Sequence, residues 1–362
     1  MKRYPVELVR EQTRAVLEAW RMSGEHAETT AGLMTEADLR GVDSHGISML
    51  PSYEKQIATG QMRPRAAFTV VRETPATALI DAGGGFGHAV SAHAMNLAVD
   101  KCREIGVAVV SVVNSSHFGA AGVYSSLAAE RGCIGMVTSA TRGVLMVPTF
   151  AAEAVMGTNP IAFAAPAGRN PSFELDMATT TVAMNRVRVH KLRHEPLPEG
   201  WVVDGHGRSV TDPDTAMELV DEESEGGLTP LGIDRLLGGH KGYGLAVMVH
   251  ILGGVLSGAS FSPVRKRTQK SDDPNNLGHF FLAIDPRAFR PEGGFEENLD
   301  EVVDVLHGAK PADPSQPVLV AGDPERATRE DRLANGIPLP DDLVTLLRGI
   351  AERAGAPFLL EA

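Results

Sequence analysis

Two of the chain's twelve histidines sit among neighbours that equip an imidazole to move a proton. His45 lies in Asp43-Ser44-His45-Gly46, where a hydroxyl and a carboxylate can fix its tautomer and the glycine leaves room beside the ring for a substrate. Such a group serves as general acid or base near neutral pH. The competing reading is a solvated turn in which Asp43 and Ser44 cap the following helix. His117 lies in Asn114-Ser115-Ser116-His117-Phe118-Gly119, which follows an apolar β-branched run and opens a helical segment. Ligands of α/β sheets bind at such strand ends. Here the competing reading is an N-cap cluster with an incidental histidine.

Other strings offer backbone to a ligand. Gly157-Thr158-Asn159-Pro160 and Asp176-Met177-Ala178-Thr179-Thr180 combine small residues with hydroxyls, and an Asp at a strand end can accept a hydrogen bond from a ribose or an amide; plain turn chemistry is the alternative. Gly238-Gly239-His240-Lys241-Gly242-Tyr243-Gly244 sets Lys241 and Gly242 ahead of an apolar helix, which suits a phosphate, although a glycine hinge would read the same way. Gly83-Gly84-Gly85-Phe86-Gly87 fails as a dinucleotide fingerprint because His88 stands where the third glycine belongs. No P-loop or nucleophile-elbow string occurs. His190 and His194 are four apart, as in zinc pairs, and would suit a metal hydrolase. They lack the glutamate after the first histidine and lie among Arg188, Lys191 and Arg193, so they read as a solvated basic face. With Cys102 and Cys133 the only cysteines, neither a metal centre nor a disulfide framework is expected.

These strings need elements to hold them. Val9, Val16, Leu17 and Trp20 mark one face of a helix over residues 6–21, and a second helix over 25–40 stops at Gly41. His45 therefore falls on a connection just past a helix C-terminus. Helix resumes around Tyr53 and Ile57 as far as Gly60. From residue 68 onward, strands at 68–72, 77–81, 107–113, 134–139, 161–165 and 173–177 alternate with helices at 88–105 and 120–131, an α/β pattern. Residues 184–193 are basic and no element is assigned to them, while 195–213 and 221–227 read as surface loops or a linker. Residues 243–256 are apolar on nearly every face and predict a buried helix, 262–276 a mobile loop, and 280–284 and 318–320 strands. Helices at 326–334 and 341–354 close the chain and pack against the N-terminal pair.

A length of 362 residues predicts two or three domains, and the 43% apolar content suits a globular protein. The formal net charge of −12 argues against a nucleic acid or an anionic membrane as partner. The longest apolar run, residues 245–255, is well short of the roughly 20 residues a spanning helix needs. The opening MKRYPVELVREQ carries no apolar segment ahead of a cleavage site, so a cytoplasmic location is expected.

Eight strings in unbroken order resemble the malate/L-lactate dehydrogenase family of the non-Rossmann type: ADLRGVDSHG, NSSHFGAAGVY, GTNPIAFAAP, LDMATT, PEGW, GGHKGYGLA, GHFFLAID and NGIPLP. The resemblance implies a homodimeric oxidoreductase that uses NAD or NADP on a small 2-hydroxy or 2-oxo acid, or on a related cyclic imino acid. It implies a non-Rossmann NAD(P)-binding fold of three parts: a helical domain built from both termini (residues 1–75 and 325–362), a central cofactor domain (76–180 and 240–324) and an insert (181–239). It assigns the proton donor to His45, with Ser44 beside it, or in some members to His117. The cofactor contacts it implies are Asp176, Met177, Ala178, Lys241, Gly242, Gly322, Asp323 and Pro324. A hydride delivered to a ketone or imine leaves charge on oxygen or nitrogen that a positioned imidazolium can neutralise, so no metal is needed. Two positions depart from the family. Met49 stands where many relatives carry an arginine able to clamp a carboxylate, and Asn185-Arg186 stands where Gly-Lys is frequent. Arg63, Arg142 and Arg186 are the candidates for a replacement clamp. The alternative is a member that acts on a non-carboxylate substrate or binds a ligand without turnover.

Overall fold

The computed structural model describes residues 1–221, 225–260, 270 and 272–361. A short strand, β1 (Lys2–Tyr4), precedes α1 (Val6–Ala19) and α2 (Gly24–Leu39), and α3 (Leu50–Ala58) follows the His45 turn. The middle of the chain supplies β2 (Thr69–Glu73), β3 (Thr77–Asp81), α4 (Gly87–Ile105), β4 (Val107–Ser115), α5 (Gly122–Glu130), β5 (Ile134–Ala140), β6 (Ile161–Ala165) and β7 (Phe173–Met177). Then come α6 (Met184–Arg193), β8 (Val202–Asp204), α7 (Pro213–Asp221), β9 (Gly226–Leu228), α8 (Gly239–His250) and β10 (Leu277–Ile284). The chain closes with α9 (Gly294–His307), α10 (Asp323–Asn335), β11 (Ile337–Leu339) and α11 (Asp341–Ala354).

Seven strands form the central sheet in the order β2-β3-β4-β10-β5-β6-β7. Only β3 and β4 pair in parallel; every other neighbouring pair is antiparallel. It follows that β3, β4, β5 and β7 run in one direction and deliver their carboxyl ends to the same end of the sheet. That end is where α/β sheets place ligands. Beneath it, alternate residues of the strands (Ile80, Val110, Val112, Val137 and Phe281) pack against Val90, Met95 and Val99 of α4 and Tyr124 of α5. The two termini share a second core, in which Val9, Leu17, Met34, Leu50 and Tyr53 meet Ile337, Leu347, Ile350 and Leu360. The antiparallel pairing of β1 with β11 ties the ends together. Both closing helices contact the N-terminal pair, α10 against α2 and α11 against α1.

The strands expected at 77–81, 161–165 and 173–177 coincide with β3, β6 and β7. Four expectations need correction. The stretch 318–320 is no strand, because the Asp323 carboxylate takes the Val320 N–H at 2.7 Å and bends the chain into a turn. The expected loops at 195–213 and 221–227 contain β8 and β9, and with α6 and the unexpected α7 they enclose a core of Val187, Leu197, Val202, Met217 and Leu228. α9 was not expected; it buries only Asp300 and Val303, so its apolar stripe is thin. The stretch 243–256 is helical, with a π-turn at Ile251–Val255, yet it is not buried all round. Gly253 packs against the backbone of β5 and β10, while Ile251, Val255 and Leu256 are 52%, 67% and 58% exposed. Most of the loop expected to be mobile, at 262–276, lies outside the described residues.

Candidate active site

A cleft of about 550 Å³ opens at the carboxyl end of the sheet, and Ser44, His45, Met49, His117, Arg142 and Asp176 are among the residues that line it. It lies within the usual volume range for small-molecule sites, about 300–1,000 Å³. The His45 turn enters it straight from the end of α2. Buried Asp38, in the last turn of α2, accepts the Ile47 N–H at 2.9 Å, and burial pushes its carboxyl up to about 8. A Cβ at Gly46 would run into that carboxylate, so only glycine fits there. From the other terminus, buried Arg332 of α10 donates to the Asp38 carbonyl and to both carboxylate oxygens of Asp43. Asp43 thus anchors the turn. The partner of His45 is Ser44, whose Oγ lies 2.7 Å from Nδ1. Enclosure by the cleft walls lowers the His45 pKa to about 4.

His117 arrives on the loop after β4. Its ring centroid is 5.4 Å from that of His45, with the planes 30° apart. The Gly119 N–H donates to its Nδ1 at 3.3 Å, and the Tyr53 hydroxyl lies 2.8 Å from the same atom. A backbone N–H cannot reverse its role. Nδ1 is therefore an acceptor, and the neutral ring carries its proton on Nε2. Burial, followed by the neighbouring histidines His45, His88 and His279, holds the His117 pKa well below its ordinary value. The loop is braced from behind by buried His279 of β10. Its Nδ1 meets Ser139 Oγ at 2.8 Å, its Nε2 meets Ser115 Oγ at 2.9 Å and the Ser116 carbonyl at 3.2 Å, and its ring stacks on Phe118 at 4.4 Å.

At the end of β7, Asp176, Met177 and Ala178 line the cleft. Asp176 Oδ2 accepts the Gly122 N–H at the start of α5, at 2.7 Å. Asp176 is exposed to the cleft space, yet the surrounding walls desolvate it and push its carboxyl up to about 6, against the lowering effect of the Gly122 bond. Gly322 lines the cleft as well. Asp323 does not line it: its carboxylate is occupied by the Val320 N–H, His307 and Arg326, which holds the turn that presents Gly322. Pro324 sits in the first turn of α10, off the cleft. Lys241 is exposed and Gly242 is packed against the Leu231 backbone; neither lines the cleft. Residues 119–122, Ala178 and Gly322 present backbone and small side chains to the cavity, a wall that suits a flat ring and its ribose.

Of the clamp candidates, Arg142 is on the cleft, whereas Arg63 and Arg186 are not. His190 spends Nδ1 on the Pro196 carbonyl at 3.0 Å, and among the described residues no group of three or more His, Cys, Asp or Glu side chains is placed to hold a metal ion. Tyr53, His279 and Arg332 belong to the site without having been singled out from the sequence. A histidine inside the apolar run of β10 was the one available signal.

The malate/L-lactate dehydrogenase family model matches residues 4–348. The chain is 38% identical over 337 residues to a malate dehydrogenase of Pyrococcus abyssi, covering 92% of this chain and 90% of that protein. It is 34% identical over 340 residues to an L-sulfolactate dehydrogenase of Methanocaldococcus jannaschii, covering 94% of each. The crystal structure of malate dehydrogenase from Entamoeba histolytica superposes with a TM-score of 0.93 at 31% identity, covering 98% of this chain and 99% of that one. With sequence and fold in agreement over nearly the whole length, the chain is a dehydrogenase of the malate/L-lactate dehydrogenase family.

Proposed function

We propose that the protein transfers a hydride between NAD or NADP and a small 2-hydroxy acid, its 2-oxo counterpart or a related cyclic imino acid, with His45 as proton donor and acceptor. The observation that carries this reading is the stacking of two differently held imidazoles, 5.4 Å apart, in the cleft that Met177 and Ala178 also line. The nicotinamide, when bound, takes up or supplies the hydride. Everything else falls to the protein's own groups.

In oxidation, neutral His45 takes the substrate hydroxyl proton on Nε2 while its Nδ1–H donates to Ser44 Oγ. In reduction the same Nε2 returns the proton to the developing alkoxide or amide. A pKa of about 4 keeps His45 neutral at pH 7, the state that oxidation requires. His117 cannot gain a proton on Nδ1 without opposing the Gly119 N–H, so it stays neutral and donates from Nε2 to the substrate oxygen. Asp176, Met177 and Ala178 hold the cofactor from the far side of the cleft. The exposed Ile251, Val255 and Leu256 supply an apolar face that supports a homodimer.

The test is turnover of malate, lactate, sulfolactate, ureidoglycolate and a cyclic imino acid by the purified protein with each nicotinamide cofactor, followed by nicotinamide absorbance. Oxidation or reduction of at least one is expected. Cofactor binding with no turnover of any of them would overturn the reading in favour of a ligand-binding family member.

A further inference from the structure

We infer that Arg142 is the carboxylate-binding residue of this cleft, an assignment that rests on the hydroxy-acid reading above and sharpens it. Two arginines line the cavity. The charge of Arg40 is already matched, by Glu36 at 2.9 Å and Glu174 at 2.8 Å. Arg142 is different. Its Nη1 donates to the neutral amide oxygen of Gln61 at 2.7 Å, and among the described residues no carboxylate pairs with it. Its side chain is exposed to the cleft space, yet the surrounding walls desolvate the guanidinium enough to lower its pKa. A cation that faces a cleft with no carboxylate beside it is stabilised by a ligand that brings one.

Its place along the sheet fits that role. His117 follows β4 and Arg142 follows β5, with only β10 between those strands, so the two loops start about 10 Å apart. A 2-hydroxy acid, whose carboxylate is one bond from the reacting carbon, fits between the imidazoles and the guanidinium fork. Beyond β6, Glu174 and Asp176 of β7 and Glu325 in the first turn of α10 also line the cleft. Glu174 is matched by Arg40, and the carboxyl groups of Asp176 and Glu325 disfavour an anion there and turn the acid end of the substrate toward β5. Met49 offers the same cavity an uncharged thioether, which leaves a bidentate carboxylate contact to Arg142.

The experiment compares the full-length protein with Arg142→Met and Arg142→Lys. The readouts are KM for whichever acid turns over and calorimetric affinity for oxalate, a non-reacting dicarboxylate, in the presence of cofactor. Arg142→Met should raise KM and the oxalate Kd by about 30-fold or more while cofactor affinity stays unchanged. A merely structural role would instead lower the melting temperature and kcat and spare KM. Should Arg142→Met fail to fold, Arg142→Lys carries the test, with about a tenfold loss expected because a point charge replaces a planar fork. Oxalate binding that depends on Arg142 in a protein that oxidises no acid would sink the reaction assignment and keep this one. KM and Kd within about threefold of wild type, or a wild-type protein that neither binds oxalate nor turns over any acid, would overturn it.

Discussion

His45 and His117 share one cleft and differ in what holds them. The His45 turn is fastened from outside by charge: Arg332 grips Asp43 and the Asp38 carbonyl, while among the described residues the ring's hydrogen-bond partner is Ser44. A hydroxyl can donate or accept, so His45 can change protonation state without breaking its hydrogen bond to Ser44. The His117 loop is fastened from inside by neutral groups, among them Tyr53, the Gly119 N–H and the Phe118–His279 stack. A fixed backbone donor at Nδ1 denies His117 that freedom. One residue type thus takes two roles, proton carrier and neutral donor, and its neighbours decide which.

The strongest way to break this comparison is to remove each ring in turn. His45→Asn should lower kcat by about 10²–10⁴-fold, the contribution expected of a positioned acid or base. His117→Gln should cost about 10²-fold, as the loss of one donor at a developing oxyanion does. The pH profile separates them. For oxidation the base must be neutral, so wild-type kcat/KM should fall as pH drops through about 4, the pKa to which burial lowers His45. That acid limb should persist in His117→Gln and vanish in His45→Asn. A limb that instead disappears with His117 would exchange the two roles.

How far these roles could be read without coordinates depends on how local the partners are. Asp43-Ser44-His45-Gly46 announces a proton-transfer site in four consecutive residues, and the Ser44 contact is as close in space as in sequence. Arg332 reaches the same turn from 289 positions away, and no periodicity in α10 marks it, because it is the helix's one buried residue. Asp43 read as the carboxylate that orients His45 for the same reason: its competing partner was out of sight. β3 and β6 were legible because short apolar runs with β-branched or aromatic residues and buried faces have few alternatives. The stretch 318–320 had the same composition and lost its strand to one side chain, that of Asp323. The fold of residues 181–239 depends on strands of three residues each, too short to carry an alternating pattern.

Loosening the outer fastening is the next test. Arg332→Met removes the donors to Asp43 and to the Asp38 carbonyl, and hydrogen bonds to charged groups are each worth about 1.5–3 kcal/mol. The variant should lose stability of that order in denaturant melts. It should lower kcat with little change in cofactor affinity, because the turn it frees carries His45 and no cofactor contact. Equal losses of cofactor affinity and kcat would mean that α10 acts on the whole cleft and not on one turn.

The smallest effect concerns the inner fastening. Tyr53→Phe keeps the buried ring and deletes only the hydroxyl at His117 Nδ1, and the Gly119 N–H still occupies that nitrogen. One neutral hydrogen bond contributes about 1 kcal/mol, so kcat should fall about fivefold. The acid limb near pH 4 should not move, since His45 does not touch Tyr53 through a hydrogen bond. Should the limb shift with Tyr53→Phe, the two rings titrate as one unit, and the division between a proton carrier and a neutral donor would give way to a shared proton.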